Sequence, residues 1–517
     1  MCWIGNIASM IKNNKEGKIN QKWLIKLSSE FKNTLAHKIL SKYFVYSILS
    51  YVILPNIIFA FPTSSISVQK SYFSYDFLIL GILSYFIHKY LTIFLYAVLS
   101  FVSILSVTAH IFHFNIDELI YVSGNASQLR FDPHLIPVIP LLAFILLYGA
   151  GGFLAWKTSG QHRYIRATTL ALLMCGLAFR DNTNGSLCIT IPESIEKYYT
   201  FLLSPNLCDH LKSPVNLVRS DTKTLISNVY LALSDAGHPA VWVKEPSAIQ
   251  TALAHPFSEL RSADLQDANL VLILVESWGN TPQRPDVQQA ILAPVLTQRL
   301  AAHYIMQRGT VPFHGSTTHA ELRELCGVDG SFHKVLTRNT LQCLPEILAR
   351  EGYAVHGYHG FSEDMFARDR WWPLIGIPQQ NMHFREQIQS QHPGRQCGMA
   401  FRGICDADMI ADTQSVLRNK QKTFVYVLTL NSHLPITIDN KDLARTPCQQ
   451  LKLDESQCAL VTSWRIVMDA VAKLAQSPIN HTRFVVVGDH APPLWSTTSA
   501  EIFDQKNVPY FILTPRQ

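Results

Sequence analysis

Apolar residues form long runs in the first third of the chain and only short runs in its second half. Four nearly uncharged runs predict a membrane domain of about five helices over residues 43–180: 43–61, 76–112, 135–156 and 168–179. The run 76–112 is too long for one crossing of a hydrocarbon core about 30 Å thick, and the pair His88-Lys89 divides it into two helices. The run 168–179 is short for a crossing, so a buried or interfacial helix is its alternative.

The distribution of basic residues predicts how this domain is oriented. Residues 1–42 contain eight lysines and two glutamates, and the loops at 88–89 and 157–166 are also basic, whereas the loop 113–134 is mixed in charge. Basic loops stay in the cytoplasm, so residues 1–42 form a cytoplasmic segment, which we expect to be retained rather than cleaved. Five crossings then place everything after Arg180 outside the membrane.

Composition narrows the class of protein. Hydrophobic residues make up 48% of the 517 residues, and charged residues make up 16%, against about 25% in average proteins. The mean hydropathy is +0.11, and this composition excludes a disordered chain. The formal net charge of +6 is already reached within residues 1–42, so the rest of the chain is neutral. A generally basic, nucleic-acid-binding protein is therefore excluded.

Cysteine usage agrees with an exported second half. Eight of the ten cysteines follow Arg180, and the sequence contains no CxxC motif. An even number of cysteines outside the cytoplasm predicts disulfide bonds, with unpaired buried thiols as the alternative. Pairing of neighbours along the chain gives four expected bonds: 188–208, 326–343, 397–405 and 448–458.

The second half of the chain has the pattern of an α/β domain. Residues 181–264 predict a partly helical linker interrupted by prolines, and the pattern changes at Asn269. Short buried strands then alternate with helices, with strands at 270–275, 424–430, 484–487 and 510–513 and helices at 341–350 and 464–475. This alternation predicts a central, mostly parallel sheet in residues 265–517, where ligands bind at the carboxyl ends of the strands.

Chemically reactive side chains follow three of these strands. Glu276 comes after the first strand, Asn431-Ser432-His433 after the second and Asp489-His490 after the third, while a turn of small residues at 314–321 opens a helix. Each alone has an ordinary explanation, such as a solvated carboxylate or a helix cap. Together, Glu276, Asp489 and His490 offer ligands suited to a zinc- or manganese-type cation, and the turn offers a hydroxyl nucleophile.

The motifs around these residues resemble a known family. The segments VESWG, GSTTHAE, NSHLP and VVVGDH are similar, in order and spacing, to those of the alkaline-phosphatase-like transferases of lipid head groups. This family includes the lipoteichoic acid synthases, the glucan phosphoglycerol transferases and the phosphoethanolamine transferases of lipopolysaccharide. The resemblance covers about residues 265–515 and extends to a five-helix membrane anchor. It implies an N-terminal α-helical membrane domain followed by an alkaline-phosphatase-like α/β catalytic domain.

The resemblance also implies a metal site and a nucleophile. Four residues fall on the family's ligands for a divalent cation: Glu276, Thr317, Asp489 and His490. A histidine among oxygen ligands favours zinc, with manganese or magnesium as alternatives. Thr317 also falls on the family's nucleophilic threonine. The turn departs from the commoner Gly-Lys-Thr-Ser form, which leaves Ser316 and Thr318 as alternative nucleophiles.

Two further residues match positions that bind substrate. His433 matches a histidine that contacts phosphate near the entering or leaving oxygen, so a catalytic and a substrate-binding role are expected. Arg368 lies where related enzymes keep a phosphate-binding arginine. The ordinary alternatives are a buried, hydrogen-bonded histidine for His433 and a surface charge cluster with Asp369 and Arg370 for Arg368.

The implied reaction moves phosphoethanolamine from phosphatidylethanolamine to a sugar of an envelope glycan, through a phosphodiester on Thr317. The acceptor would be lipopolysaccharide, O-antigen or capsule, and the enzyme would lie in a bacterial inner membrane with its catalytic domain in the periplasm. The paired cysteines resemble the phosphoethanolamine transferases, whereas the turn resembles the phosphoglycerol branch, so phosphatidylglycerol is the alternative donor. A sulfatase or phosphatase and a non-catalytic membrane sensor are the remaining hypotheses. No C/S-x-P-x-R motif follows Glu276, which argues against a sulfatase.

Overall fold

The computed structural model describes these residues: 42–55, 73–84, 86–111, 118, 146, 148–156, 170–171, 218–219, 242–260, 269–337, 341–391, 396–398, 401–434, 436, 438–479, 481–494 and 500–516. They fall into two compact units. The first contains the described parts of Met1–Ile58, Ser71–Ser100 and Phe144–Ser220, and the second contains those of Phe101–Ala143 and Asp221–Gln517. The cysteine pair 188–208 and nearly all of segment 1–42 lie outside the described residues.

The N-terminal part of the chain is helical wherever it is described at length. The helices are Lys42–Ile48, a π-helical turn at Leu49–Ile53, Tyr75–Leu83, Lys89–Ile111 and residues 148–156. One helix ends at Leu83 and the next begins at Lys89, so the run 76–112 is divided, as predicted, into two helices, with the break just before Lys89. In the first unit the Tyr96 hydroxyl donates to the Ser50 carbonyl over 2.9 Å, and the Tyr96 ring packs on Phe77.

The structure describes only parts of the predicted membrane spans. Residues 56–61, 135–145 and most of 168–179 lie outside the described residues. Within the part of the chain that the structure describes, no helix combines the length and the apolar composition that crossing a membrane requires.

The second unit is built on a seven-stranded sheet. Its strands are β1 (Asn269–Val275), β2 (Tyr304–Pro312), β3 (Ala354–His359), β4 (Met382–His383), β5 (Thr423–Leu428), β6 (Thr482–Gly488) and β7 (Asn507–Pro515). Their order across the sheet is β2-β7-β6-β1-β5-β3-β4. The pairs β6–β1, β1–β5, β5–β3 and β3–β4 are parallel, and the two pairs that β7 makes, with β6 and β2, are antiparallel. The expectation of an α/β domain with a mostly parallel sheet is confirmed.

Strand β1 shows why the central strands are continuously apolar. Leu270, Leu272 and Leu274 belong to the hydrophobic core on one face of the sheet, and Val271, Ile273 and Val275 belong to the core on the other face. Successive side chains of a strand point to opposite faces, so a strand covered on both sides needs apolar residues at every position.

Helices cover both faces of this sheet. One core includes side chains of Ala248–Leu253, Thr317–Cys326 and Leu344–Arg350, and the other includes side chains of Pro285–Leu292, Gln298–His303, Asp406–Leu417 and Glu455–Ala475. The two helices predicted at 341–350 and 464–475 are therefore present. The second begins earlier than predicted, because Asp454 accepts from the Gln457 amide and the Gln457 side chain accepts from the Asp454 amide in a capping box.

Shorter elements complete the second unit. The strands Val243–Lys244 and Val328–Asp329 pair with each other, as do Gln396–Cys397 and Gly403–Ile404. The remaining helices are Phe332–Thr337, Arg368–Trp371, Arg385–Gln391 and Asn440–Leu443, with 3-10 turns at Phe257–Glu259, Met365–Ala367, Pro373–Ile375 and Gln379–Asn381. In the first unit, Phe73–Ser74 pairs with Val218–Arg219.

The last part of the predicted linker packs against the α/β domain. Within 242–260, the side chains of Ile249, Leu253 and Phe257 are buried in the same core as Leu322 of the helix Thr317–Cys326. Burial of this apolar surface makes the segment a structural part of the α/β domain rather than a solvated connection.

Three of the four predicted disulfides are present: Cys326–Cys343, Cys397–Cys405 and Cys448–Cys458. They join residues 17, 8 and 10 positions apart. Closing a loop of this size stabilises a fold by about 3 kcal/mol, chiefly by restricting the unfolded chain. Cys326 ends the helix that begins at Thr317, and Cys405 lies at the N-cap of Asp406–Leu417, so two of these bonds restrain elements that approach the strand ends.

Candidate active site at the carboxyl ends of the strands

The sheet brings the residues after β1 and β6 together. Gly488, the last residue of β6, pairs with Val275, the last residue of β1, and the strands are parallel. Glu276 and Asp489 therefore leave the sheet side by side. The Asp489 amide donates to the Val275 carbonyl over 3.2 Å and extends the pairing by one step.

Glu276, Asp489 and His490 form a compact ligand cluster. All three are buried, and their candidate ligand atoms lie within 4.8 Å of one another. The Nε2 atom of His490 is 3.4 Å from Asp489 Oδ2 and 3.7 Å from Glu276 Oε1. His490 Nδ1 lies 2.9 Å from the Ala491 carbonyl. When Nδ1 carries the proton that this carbonyl accepts, Nε2 presents a lone pair to the two carboxylates.

The charges of this cluster suit a divalent cation. Burial, and next the charge of Glu276, raise the pKa of Asp489 to about 7. Burial also raises the pKa of Glu276, against the opposing effect of hydrogen bonds from Ser277 and other neighbours. Two ionised carboxylates in one buried space repel each other and lose hydration, and a cation bound between them offsets both costs. Two carboxylates and one imidazole also match the ligand types of zinc and manganese sites.

Thr317 is the hydroxyl that faces the cluster. Its Oγ1 atom lies 2.9 Å from Asp489 Oδ2, 3.3 Å from Glu276 Oε2 and 3.5 Å from His490 Nε2. Thr317 is the first residue of the helix Thr317–Cys326. Gly315 lies two residues before it with φ +67°, and a Cβ atom there would come within 2.9 Å of the His319 ring. A glycine is therefore needed for the turn that delivers Thr317 to the ligands.

The neighbouring hydroxyls of Ser316 and Thr318 point elsewhere. Both donate hydrogen bonds to Oε1 of Glu118, and the Ser316 bond is 2.5 Å long. Of the three consecutive hydroxyl residues, Thr317 thus has the contacts expected of the nucleophile. The sequence alone left all three open.

A cavity adjoins the cluster and contains the other two expected site residues. Its lining includes His433 and Arg368, together with Glu276, Thr317 and His490. The remaining wall is largely apolar and aromatic: Phe361, Met365, Phe366, Phe401, Leu428, Leu430 and Pro493, with Ser316, His359 and Thr429. The structure therefore brings all six predicted site residues to one place.

Sequence comparison identifies the domain that carries this site. Residues 268–517 match the profile of the sulfatase family. The matched segment, the sulfatase-family domain, contains all six predicted site residues. No curated protein matches the chain significantly in sequence.

The sulfatase-family domain is similar to several solved structures. The lipoteichoic acid synthase LtaP from Listeria monocytogenes is 17% identical with a TM-score of 0.39, and the match covers 48% of this chain and 66% of that one. The phosphoglycerol transferase GacH from Streptococcus pyogenes is 14% identical with a TM-score of 0.35, and the match covers 53% and 77%. The zinc complex of the periplasmic domain of EcEptC from Escherichia coli is 13% identical with a TM-score of 0.31, and the match covers 48% and 73%. The chain thus spans slightly less than two thirds of LtaP.

Ser277 holds the carboxylates of Glu276 and Asp489 in place. Its amide donates to Asp489 Oδ1 over 2.6 Å, and its hydroxyl donates to Glu276 Oε1 over 2.8 Å. Ser277 has φ +54°, a conformation that costs free energy for a residue with a side chain. Its place inside VESWG was the only sequence signal for this role.

Arg323 joins the helix Thr317–Cys326 to the end of β6. Its guanidinium donates to the carbonyls of Gly488 over 2.8 Å and Asp489 over 3.3 Å, and its Nε atom pairs with Glu324. Because Arg323 is buried six residues after Thr317 in the same helix, it fixes the distance between Thr317 and the Asp489-His490 segment. No motif in the sequence indicated this contact.

His433 is held by its own loop and by Asp406. Its Nδ1 atom lies 2.8 Å from the Leu434 carbonyl, and burial lowers the pKa of His433 to about 4. Asp406 accepts from the amides of Leu430 and Asn431, each over 2.8 Å. The loop that carries His433 is therefore anchored by a buried aspartate that the sequence did not single out.

Arg368 is part of a buried ion pair rather than a surface charge cluster. Only 2% of its side chain is exposed, and Nη2 lies 2.8 Å from Oε2 of the buried Glu321. Glu321 also accepts from Trp372 Nε1 over 3.0 Å and from the Tyr426 hydroxyl over 3.2 Å. Glu321, which the sequence did not indicate, therefore fixes the guanidinium at the cavity wall.

We expect Glu321→Gln to destabilise the sulfatase-family domain by about 3–5 kcal/mol, because an amide opposite Arg368 leaves a buried cation unpaired. Denaturant titration of the purified protein, followed by tryptophan fluorescence, measures the change. The double variant Glu321→Gln/Arg368→Met removes the cation as well and should recover part of the loss. A single variant as stable as the parent would show that the pair contributes no such stability.

Proposed function

We propose that this protein is a phosphotransferase that moves a lipid head group onto an envelope glycan through a phosphodiester on Thr317. One observation carries the proposal: the Thr317 hydroxyl lies within 3.5 Å of all three members of a buried carboxylate–histidine cluster. A threonine hydroxyl is a weak nucleophile at neutral pH and needs such an environment. Threonine at this place also supports a transferase or phosphatase over a sulfatase, whose aldehyde is made from cysteine or serine.

The cluster would hold one divalent cation, and we propose zinc. Glu276, Thr317, Asp489 and His490 would bind it, with Ser277 and the Ala491 carbonyl orienting the ligands. When bound, the cation stabilises negative charge on the phosphoryl oxygens and makes the threonine proton easier to lose. The imidazole ligand favours zinc or manganese over magnesium.

In the first step, Thr317 Oγ1 attacks the phosphorus of a phospholipid. The bond between Oγ1 and phosphorus forms, the bond from phosphorus to the glycerol oxygen breaks, and the threonine proton ends on the diacylglycerol that leaves. The hydrogen bond from Oγ1 to Asp489 Oδ2 orients the attacking oxygen. The N-terminus of the helix Thr317–Cys326 and the Arg368 guanidinium favour the negative charge of the phosphoryl group.

In the second step, a sugar hydroxyl displaces Thr317. A bond forms between the sugar oxygen and phosphorus, the bond to Oγ1 breaks, and the sugar's proton is returned to Thr317. His433 would pass this proton; its place in the cavity lining and its imidazole, which is neutral at pH 7, support this role. The apolar cavity wall limits access of water, which favours transfer to a sugar over hydrolysis.

We propose phosphatidylethanolamine as the donor and place the catalytic domain in the periplasm of a bacterium. The three disulfides support an exported domain and the phosphoethanolamine branch. The Lys-rich start and the long apolar runs of the sequence support an anchor in the inner membrane, which would bring the site close to its lipid donor. A reporter fused after Arg180 tests this placement, and cytoplasmic activity of the reporter would contradict it.

Labelled lipids test the proposed reaction. The full-length protein in vesicles should release diacylglycerol from head-group-labelled phosphatidylethanolamine and pass the label to an added lipopolysaccharide acceptor. The matched reaction with labelled phosphatidylglycerol distinguishes the alternative donor. Release of free labelled head group without labelling of the acceptor would instead identify a hydrolase, and no reaction with either lipid would overturn the proposal.

A further inference from the structure

Glu118 lies almost two hundred residues before the nucleophile turn and is fully buried beside it. Both Ser316 and Thr318 donate to the same carboxylate oxygen, Oε1. Ser316 and Thr318 are buried as well, with exposed fractions of 3% and 0%. The contact therefore joins three buried polar groups, one from a segment that the sequence predicts to lie between the third and fourth membrane helices.

The contact replaces the usual role of a serine at a helix start. Ser316 is the N-cap of the helix Thr317–Cys326, yet its side chain accepts no hydrogen bond from the helix. A serine in this position normally accepts from an amide of the first turn. Here its hydroxyl donates to Glu118 instead. The carboxylate of Glu118, which is not part of this helix, therefore binds the residue before Thr317 and the residue after it.

We propose that Glu118 is a positioning residue that selects Thr317 as the nucleophile by holding the hydroxyls on either side of it. With Ser316 and Thr318 engaged by Glu118, Thr317 alone faces Glu276, Asp489 and His490. The inference rests on the proposed function, since it concerns the same transfer. It also implies that Glu118 lies on the same side of the membrane as the catalytic domain, which agrees with the orientation that the sequence predicts.

Comparing Glu118→Ala with Glu118→Gln tests whether the oxygen that accepts both hydrogen bonds holds the turn in place. Loss of the carboxylate frees the turn, so Glu118→Ala should lower kcat by about tenfold to hundredfold with little change in KM or metal content. Since both hydrogen bonds go to one oxygen, the amide oxygen of Glu118→Gln can accept them, and this variant should stay within a few fold of the parent. Glu386→Ala, which removes an exposed glutamate, is the control and should leave kcat unchanged.

A second variant approaches the contact from the other side. Ser316→Ala/Thr318→Val removes both donors and should cause a loss similar to that of Glu118→Ala. Adding Glu118→Ala to it should cause little further loss, because the groups act as one unit. If Glu118→Ala does not fold, this variant still tests the inference. Parent-like kcat in either folded variant, or losses that multiply independently, would overturn the inference.

Hydrogen exchange provides a readout that does not depend on activity. In the full-length protein, Glu118→Ala should speed amide exchange in the peptide spanning residues 314–322, and Glu118→Gln should not. Unchanged exchange in Glu118→Ala would overturn the positioning role even if the proposed function stood. A parent enzyme that transfers no head group would overturn the proposed function, and the exchange experiment would still decide the role of Glu118.

Discussion

Thr317→Ala is expected to lower transfer of the lipid head group by at least about a thousandfold. The substitution removes the hydroxyl that lies 2.9 Å from Asp489 Oδ2, and Ser316 and Thr318 are turned toward Glu118 and cannot replace it without rearrangement of the turn. Intact-mass measurement of protein given phospholipid but no acceptor should show one adduct on the parent and none on Thr317→Ala. The mass of the adduct also identifies the donor, since phosphoethanolamine and phosphoglycerol differ.

Two further variants make this experiment specific. Thr317→Ser keeps a hydroxyl and should retain part of the activity, with the adduct on the new serine. Thr310→Ala removes an exposed threonine from strand β2 and should behave as the parent. Transfer at the parental rate by Thr317→Ala, or an adduct mapped to Ser316 or Thr318 in the parent, would show that Thr317 is not the nucleophile.

Asp489→Asn is expected to cost both the bound metal and the activity while leaving the fold intact. Asp489 Oδ1 accepts from the amides of Ser277 and His490, each over 2.6 Å, and an asparagine oxygen can keep these bonds. The second oxygen, which faces Thr317, becomes an amide nitrogen that cannot bind a cation. Loss of this ligand should weaken metal binding by at least about a hundredfold, equivalent to about 2.7 kcal/mol.

Metal analysis and thermal unfolding measure this effect without reference to activity. Zinc should raise the unfolding temperature of the metal-free parent but not that of Asp489→Asn. Asp286→Asn, which changes an exposed aspartate paired with Arg284, serves as the control and should respond to zinc as the parent does. An Asp489→Asn protein that retains stoichiometric zinc would rule out this ligand assignment.

The apolar pattern was sufficient to predict the centre of the domain. Strands β1, β5 and β6 are buried on both faces, so each appears in the sequence as an unbroken apolar run. The polar residues directly after β1 and β6 meet at one edge because neighbouring parallel strands end at the same edge of the sheet. The ligand cluster could therefore be anticipated from the sequence. The three described disulfides could be anticipated for a different reason, since each joins neighbouring cysteines of the chain.

Strand β7 was predicted from its apolar run at 510–513, whereas strands β2, β3 and β4 were not predicted, for identifiable reasons. Strand β2 lies at the edge of the sheet, and most of its residues IMQRGTV are exposed or half-buried, so it has no continuous apolar run. Strand β3 contains His356, Gly357 and His359, which have no strand signature of their own. Such strands are stabilised by pairing with neighbours already in the sheet, and that pairing is not visible in local sequence.

The sequence by itself determined the composition of the site, namely a carboxylate, an Asp-His pair and a turn of hydroxyl residues. The tertiary structure decided which hydroxyl faces the ligands, because that depends on where the helix Thr317–Cys326 begins and on where Glu118 lies. It also showed that Arg368 is buried against Glu321. These contacts join residues that are 47 to 200 positions apart in the chain. Local patterns report burial and periodicity, whereas partners at such separations are chosen only when the whole core closes.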